Sequence, residues 1–232
     1  MKKKNFLFTK RAITFMAAGM ILFASCGKDD NKEKGDDGSN VLPDNTIVAQ
    51  VEDGNSYNEK IDTIVARIFN EDTPCDLAKA AYKNGGFTLK LPATVDDKYL
   101  VADFKRFTDG VKVSDPNAKL CQFEVLRVFK SGEELQGRFF HIYSSEKTKT
   151  MVEYIYTDRD LSVTGGYTEE REIYIGNGNF EKVIYDNTFN VNLKKGWNIT
   201  YLTQTETATG VTQTITSKAP ENVKVKWVYD GQ

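Results

Sequence analysis

The chain carries a single histidine, His141, which excludes a zinc cluster built from several imidazoles and leaves any serine nucleophile one ring to use as base. His141 sits in the strand-like run Arg138-Phe139-Phe140-His141-Ile142-Tyr143, where neighbouring side chains point to opposite faces. Ser144 and Ser145 follow it closely but lie outside any G-x-S-x-G elbow, so His141 reads as a strand residue. Carboxylates pair at Asp96-Asp97, Glu133-Glu134, Asp158-Arg159-Asp160 and Glu169-Glu170. A glycosidase would need two carboxyls facing each other about 5–10 Å apart, which only the fold decides. Asp158-Arg159-Asp160 lacks the regularly spaced oxygen ligands of a calcium loop and reads as a polar turn. Gly176-Asn177-Gly178-Asn179 has no following Lys-Ser/Thr or helix, so it reads as a hairpin rather than a phosphate cradle. The expectation is a chain with no catalytic residues, no metal and no cofactor.

Two other residue types could recognise or staple. Trp197, in Lys195-Gly196-Trp197-Asn198, stands at a turn where an indole could serve as a ligand platform; the alternative is that it fills the core, as most Trp residues of β-rich bodies do. Of the three cysteines, Cys75 and Cys121 remain if Cys26 is modified. In an oxidising compartment they could form a disulfide; closing about 46 residues, it would contribute about 3–4 kcal/mol. Otherwise they are separate buried thiols acting as small hydrophobes.

Charge is unevenly spread. The 232 residues have a formal charge of −2, yet residues 1–25 hold Lys2, Lys3, Lys4, Lys10 and Arg11 and no acid. Taking those five from 31 leaves 26 basic residues against 33 acidic, a net −7. Such a body offers no basic face for nucleic acid or anionic lipid.

The basic stretch runs into an apolar segment, residues 12–23 (AITFMAAGMILF), interrupted only by Thr14. Spanning a bilayer takes about 20 residues, so this segment fits the apolar region of an export signal. The run Leu22-Phe23-Ala24-Ser25-Cys26 resembles the lipobox of bacterial lipoproteins, with Phe23 where that family usually has an aliphatic residue. The resemblance implies a diacylglyceryl thioether on Cys26, a reaction that needs a nucleophilic thiolate. Several acyl chains anchor a protein stably where one is marginal. The residues Gly27-Lys28-Asp29-Asp30 resemble the signal by which Bacteroidota-type bacteria send lipoproteins to the outer face of the outer membrane; a periplasm-facing lipoprotein is the alternative. The implied partner is therefore the membrane, through lipid on Cys26.

The elements that would position any site are strands. Phe189, Val191 and Leu193 alternate with Asn190, Asn192 and Lys194, and Val223, Val225, Trp227 and Tyr229 continue the same period near the end. Further strand-like runs cover residues 61–69, 120–129, 138–143, 151–156 and 171–175. Turn signals separate them at Asp53-Gly54, Asn84-Gly85, Ser131-Gly132, Gly165-Gly166, Asn177-Gly178 and Lys195-Gly196. Residues 75–83 have some helical character, but no long helix is expected. The class is all-β, an antiparallel sandwich or barrel-like body.

The expected organisation is a signal peptide over 1–25, a disordered tether over 26–45, an N-terminal β module over 46–115 and a C-terminal β domain over 119–232. Residues 27–45 offer only Val41 and Leu42 as aliphatic residues, too little burial to offset ordering, and a flexible coil of that length spans roughly 25 Å. The stretch Ala81-Tyr82-Lys83-Asn84-Gly85-Gly86-Phe87-Thr88-Leu89-Lys90-Leu91-Pro92 resembles a hairpin of small transthyretin-like surface modules. A meander or barrel would follow. The functional expectation is a non-enzymatic surface lipoprotein acting as a binding or interaction module whose ligand, a glycan or a protein, the sequence does not identify. Alternatives are a glycan-binding accessory of a nutrient-uptake system, a carboxylate-dependent hydrolase and a pilus-type subunit.

Overall fold

The computed structural model describes residues 40–70, 73–102, 104, 110–123, 125–176 and 179–231. The chain is all-β. Its strands are β1 (Thr46–Gln50), β2 (Thr63–Asn70), β3 (Thr73–Ala81), β4 (Gly86–Lys90) and β5 (Val111–Val113). They continue as β6 (Leu120–Gln122), β7 (Val125–Lys130), β8 (Glu133–Ser144), β9 (Thr148–Thr157) and β10 (Leu161–Gly176). The last four are β11 (Asn179–Leu193), β12 (Gly196–Glu206), β13 (Gly210–Thr216) and β14 (Lys226–Asp230).

One large sheet runs in the order β3-β2-β7-β8-β9-β12-β13-β11-β10-β5, while β1 and β4 form a separate two-stranded sheet. Among the described strands the pairings are antiparallel except β11 with β13, and the isolated bridge of Val51 with Trp227 is also parallel. The sheet does not close: β3 and β5 are its two ends. β8 meets β9 only briefly, through Ile142, Tyr143 and Ser144. Beyond that point β14 takes over beside β8 at residues 138–142, and β6 takes over beside β9 at residues 155–157. The two halves thus splay apart and face each other as layers.

Two main cores form, one between the layers and one on the other face of the β9 half. The larger holds Ile47 and Leu89 from the small sheet, Ile64 and Leu126 from one half, and Val152, Tyr154, Tyr156 and Trp197 from the other. The second, on the opposite face of β9, packs Ile155 against Leu161, Val163, Phe189, Val191 and Leu193. This explains the near-continuous apolar sequence of β9: its last eight residues are buried on both faces. A small satellite, Met151 with Leu202, extends the second layer.

The period-two reading holds best along β11, where Tyr185, Asn187, Phe189, Val191 and Leu193 are buried and their neighbours exposed. Four expectations are corrected. The boundary between residues 115 and 119 is not a domain boundary, because β2 pairs with β7, β5 pairs with β10, and the larger core draws on both sides. Residues 75–81 are strand rather than helix: β3 pairs with β2 over its length, with Leu77 as an extra bulged residue between Ala78 and Asp76. The tether ends earlier than residue 45. Leu42 is buried, and residues 40–42 run antiparallel beside β12, with the Leu42 N–H donating to the Trp197 carbonyl at 2.9 Å and the Ile199 N–H to the Asn40 carbonyl at 2.7 Å. Finally, Gly165-Gly166 lies inside β10, where β5 crosses closely: the Gly166 N–H donates to the Gly110 carbonyl at 3.0 Å, and a Cβ on Gly165 would stand 2.0 Å from that oxygen.

Asn84-Gly85 does form a tight turn, both residues having positive φ (54° and 74°). It redirects the chain out of the large sheet into β4, which pairs with β1. Gly85→Ala should therefore cost about 1–2 kcal/mol through backbone strain, read as a lower denaturant midpoint with unchanged slope. Its Cβ would also meet Gln50 Nε2 at 2.7 Å, the group that donates to the Gly85 carbonyl.

Candidate functional site

Strand register carries side chains across the second layer in rows. Met151, Leu202, Ile215 and Phe189 stand in line on β9, β12, β13 and β11, all facing the second core and its satellite. One step along each strand, two residues on, the same face presents Lys149, Gln204, Gln213, Asn187 and Tyr167 on five successive strands. At about 4.8 Å between strands this polar row is roughly 19 Å long. Asn187 is buried and the other four are half-buried, so the row marks where the apolar layer emerges towards solvent.

Its members are held differently. Asn187 Nδ2 donates to the Tyr167 and Tyr185 carbonyls at 3.4 and 3.3 Å and to Glu169 Oε1 at 3.3 Å. Glu169 is ion-paired to Arg171, whose guanidinium lies 4.4 Å from the Tyr185 ring centre. Tyr167 stacks on Phe189 with ring centres 6.0 Å apart and 18° between planes. Burial pushes the Lys149 ammonium down from its ordinary range, and the Asp230 charge opposes that shift. Gln213 Oε1 is buried and accepts no hydrogen bond from any described protein group. The row consists of amides, a phenol and one cation, groups suited to holding a ligand by hydrogen bonds.

Below the row lies Glu153, 0% exposed, opposite Thr200. The Thr200 hydroxyl donates to Glu153 Oε2 at 3.2 Å, whereas Oε1 has no partner among the described groups. Burial pushes the carboxyl up to about 8, with the Thr200 bond opposing. Such a carboxyl is an acid held neutral at pH 7. Enclosed as it is, it reaches no substrate in this conformation.

The residues singled out in the sequence are scattered. Trp197 is no platform: it is 1% exposed, packed on Phe123 and Tyr156 at 5.2 and 5.3 Å between ring centres, and its indole N–H donates to the Pro92 carbonyl at 2.8 Å. The turn before it releases the indole inward because Gly196, with φ 104°, reverses the chain into β12. Cys75 and Cys121 stand as free thiols in and against the larger core. Burial, with the neighbouring Cys75 adding to it, pushes the Cys121 thiol up to about 12, so that thiol is unreactive as a nucleophile at neutral pH.

His141 is buried against Trp227, and burial drives its ring down to about 3 against a bond to the Val225 backbone. It is a neutral core ring. Asp158-Arg159-Asp160 is a polar turn: Arg159 bridges Asp158 and Asp115 at 2.8 and 3.1 Å, and Asp160 binds Lys194 at 2.9 Å. Cys26 lies outside the described residues. None of the five row residues stood out in the sequence. Comparison with family models, curated proteins and solved structures finds no match to the chain.

Proposed function

We propose that the chain is a lipid-anchored cell-envelope protein, held at the outer membrane through Cys26 and displayed outward, whose β body works as a non-catalytic binding module. The observation that carries the binding reading is the row Lys149-Gln204-Gln213-Asn187-Tyr167. Five strands fix its spacing, and its neutral amides recognise hydrogen-bonding groups without transferring protons. The anchoring reading rests on the lipobox-like run 22–26 and on Lys28-Asp29-Asp30.

The two readings are geometrically compatible. The tether joins the body beside Asn198 of β12, and the row crosses that strand at Gln204, six residues further on, roughly 20 Å away. A module hung from its Asn198 end presents the row away from that attachment. Growth with a palmitate analogue should label the native protein, and Cys26→Ser should abolish the label. Equal labelling of both would remove the anchor from the proposal.

A further inference from the structure

Resting on the binding-module reading, we infer that the polar row is a subsite for a neutral sugar chain laid across β9, β12, β13, β11 and β10. Gln204 and Gln213 are its hydrogen-bond partners and Tyr167 is the ring on which a sugar packs.

The chemistry narrows the ligand in steps. A carboxamide offers two donors and one acceptor, and sugar hydroxyls each donate and accept, so vicinal hydroxyls match a line of amides. Gln213 Oε1 has no partner among the described groups; it is enclosed in this conformation, but its residue is half-buried, so the amide would turn outward to accept from a sugar hydroxyl. Charge argues against an anionic ligand. The Lys149 charge is offset by Asp230, Arg171 is engaged by Glu169 and the Tyr185 ring, and the body beyond residue 25 is acidic. Shape argues for a chain over a single ring, because five strands present the groups in a line of roughly 19 Å. Tyr167, braced from one side by Phe189, gives that line one aromatic surface.

The test uses full-length protein in detergent micelles on an array of neutral glycans, anionic glycans and peptides, followed by calorimetry with the best neutral oligosaccharide. Neutral oligosaccharides should be retained, and Gln213→Leu should weaken them about tenfold or more. That substitution removes an unpartnered buried oxygen, so the melting temperature should hold or rise, which separates a lost ligand contact from a lost fold. Gln204→Ala, at a half-exposed position, gives an independent second reading with the same expected direction. If neutral glycans fail but an anionic glycan or a peptide is retained in a way that both substitutions abolish, the sugar assignment falls and the binding module stands. If nothing retained responds to either substitution, both fall.

Discussion

Glu153→Gln is expected to abolish the loss of stability that the native protein suffers as pH rises from about 6.5 to 8. The carboxyl titrates near its ordinary 4.5 in the unfolded chain and at about 8 when folded. Between those values the unfolded chain has released its proton and the folded chain has kept it. Stability therefore falls with rising pH, by as much as about 1.4 kcal/mol per pH unit. Over the whole window that is about 5 kcal/mol, comparable with the total stability of many domains.

His141 supplies the opposite limb. Its ring is held at about 3 when folded against 6.5 when free, so stability is lost as pH falls below 6.5. Between pH 4.5 and 6.5 the two slopes oppose each other, and the profile should be nearly flat, declining on either side. The depressed carboxyls of Asp62, Asp96, Asp115 and Asp160 lie lower still, and their contribution goes only as pH drops through the ordinary carboxylate range. Urea unfolding at half-unit steps from pH 4 to 9 measures this directly. In Glu153→Gln the histidine slope is unopposed, so stability should climb to about pH 6.5 and then hold level to pH 8 with no decline. A variant that keeps the native alkaline limb would show that another group carries it.

How much of this the sequence discloses depends on whether a property is local. Strand identity is local: Phe189, Val191 and Leu193 alternate with polar residues and do face a core. Turn chemistry is local too, and Ser131-Gly132, both with positive φ, closes the β7–β8 hairpin as its residue types imply. Sheet order is not local. Nothing in residues 63–70 names residues 125–130 as their neighbours, so the turn formers clustered over residues 109–118 (DGVKVSDPNA) read as the boundary between two modules, which the pairing of β2 with β7 crosses.

The polar row is the extreme case. On three of the strands an amide of the row stands two residues from an apolar partner: Gln204 after Leu202, Gln213 before Ile215, Asn187 before Phe189. Each looks like an ordinary strand imperfection. Only the registers, once known, put the imperfections in line. Glu153 was equally hidden, since a glutamate among Met151, Val152, Tyr154 and Ile155 could face solvent until β9 is seen to be covered on both sides.

Trp197→Ala is expected to damage the fold rather than ligand capture. The indole fills space between Phe123 and Tyr156, and truncating a buried Trp costs about 3–5 kcal/mol through lost burial and the cavity left behind. The Pro92 carbonyl loses its donor as well; being only part-buried it can turn to water, so the total should stay near 4 kcal/mol. Trp197→Phe keeps most of the ring and deletes the N–H, so the difference between the two variants separates packing from the hydrogen bond. The backbone of the same residue accepts from Leu42, which makes the point where the tether joins the body sensitive to the loss. In the alanine variant, limited proteolysis should cut near residues 40–45 faster than in the native protein, alongside a lower denaturant midpoint. Were the alanine variant within about 1 kcal/mol of native stability while losing a ligand, Trp197 would be a surface platform and the packing described for the larger core would be wrong.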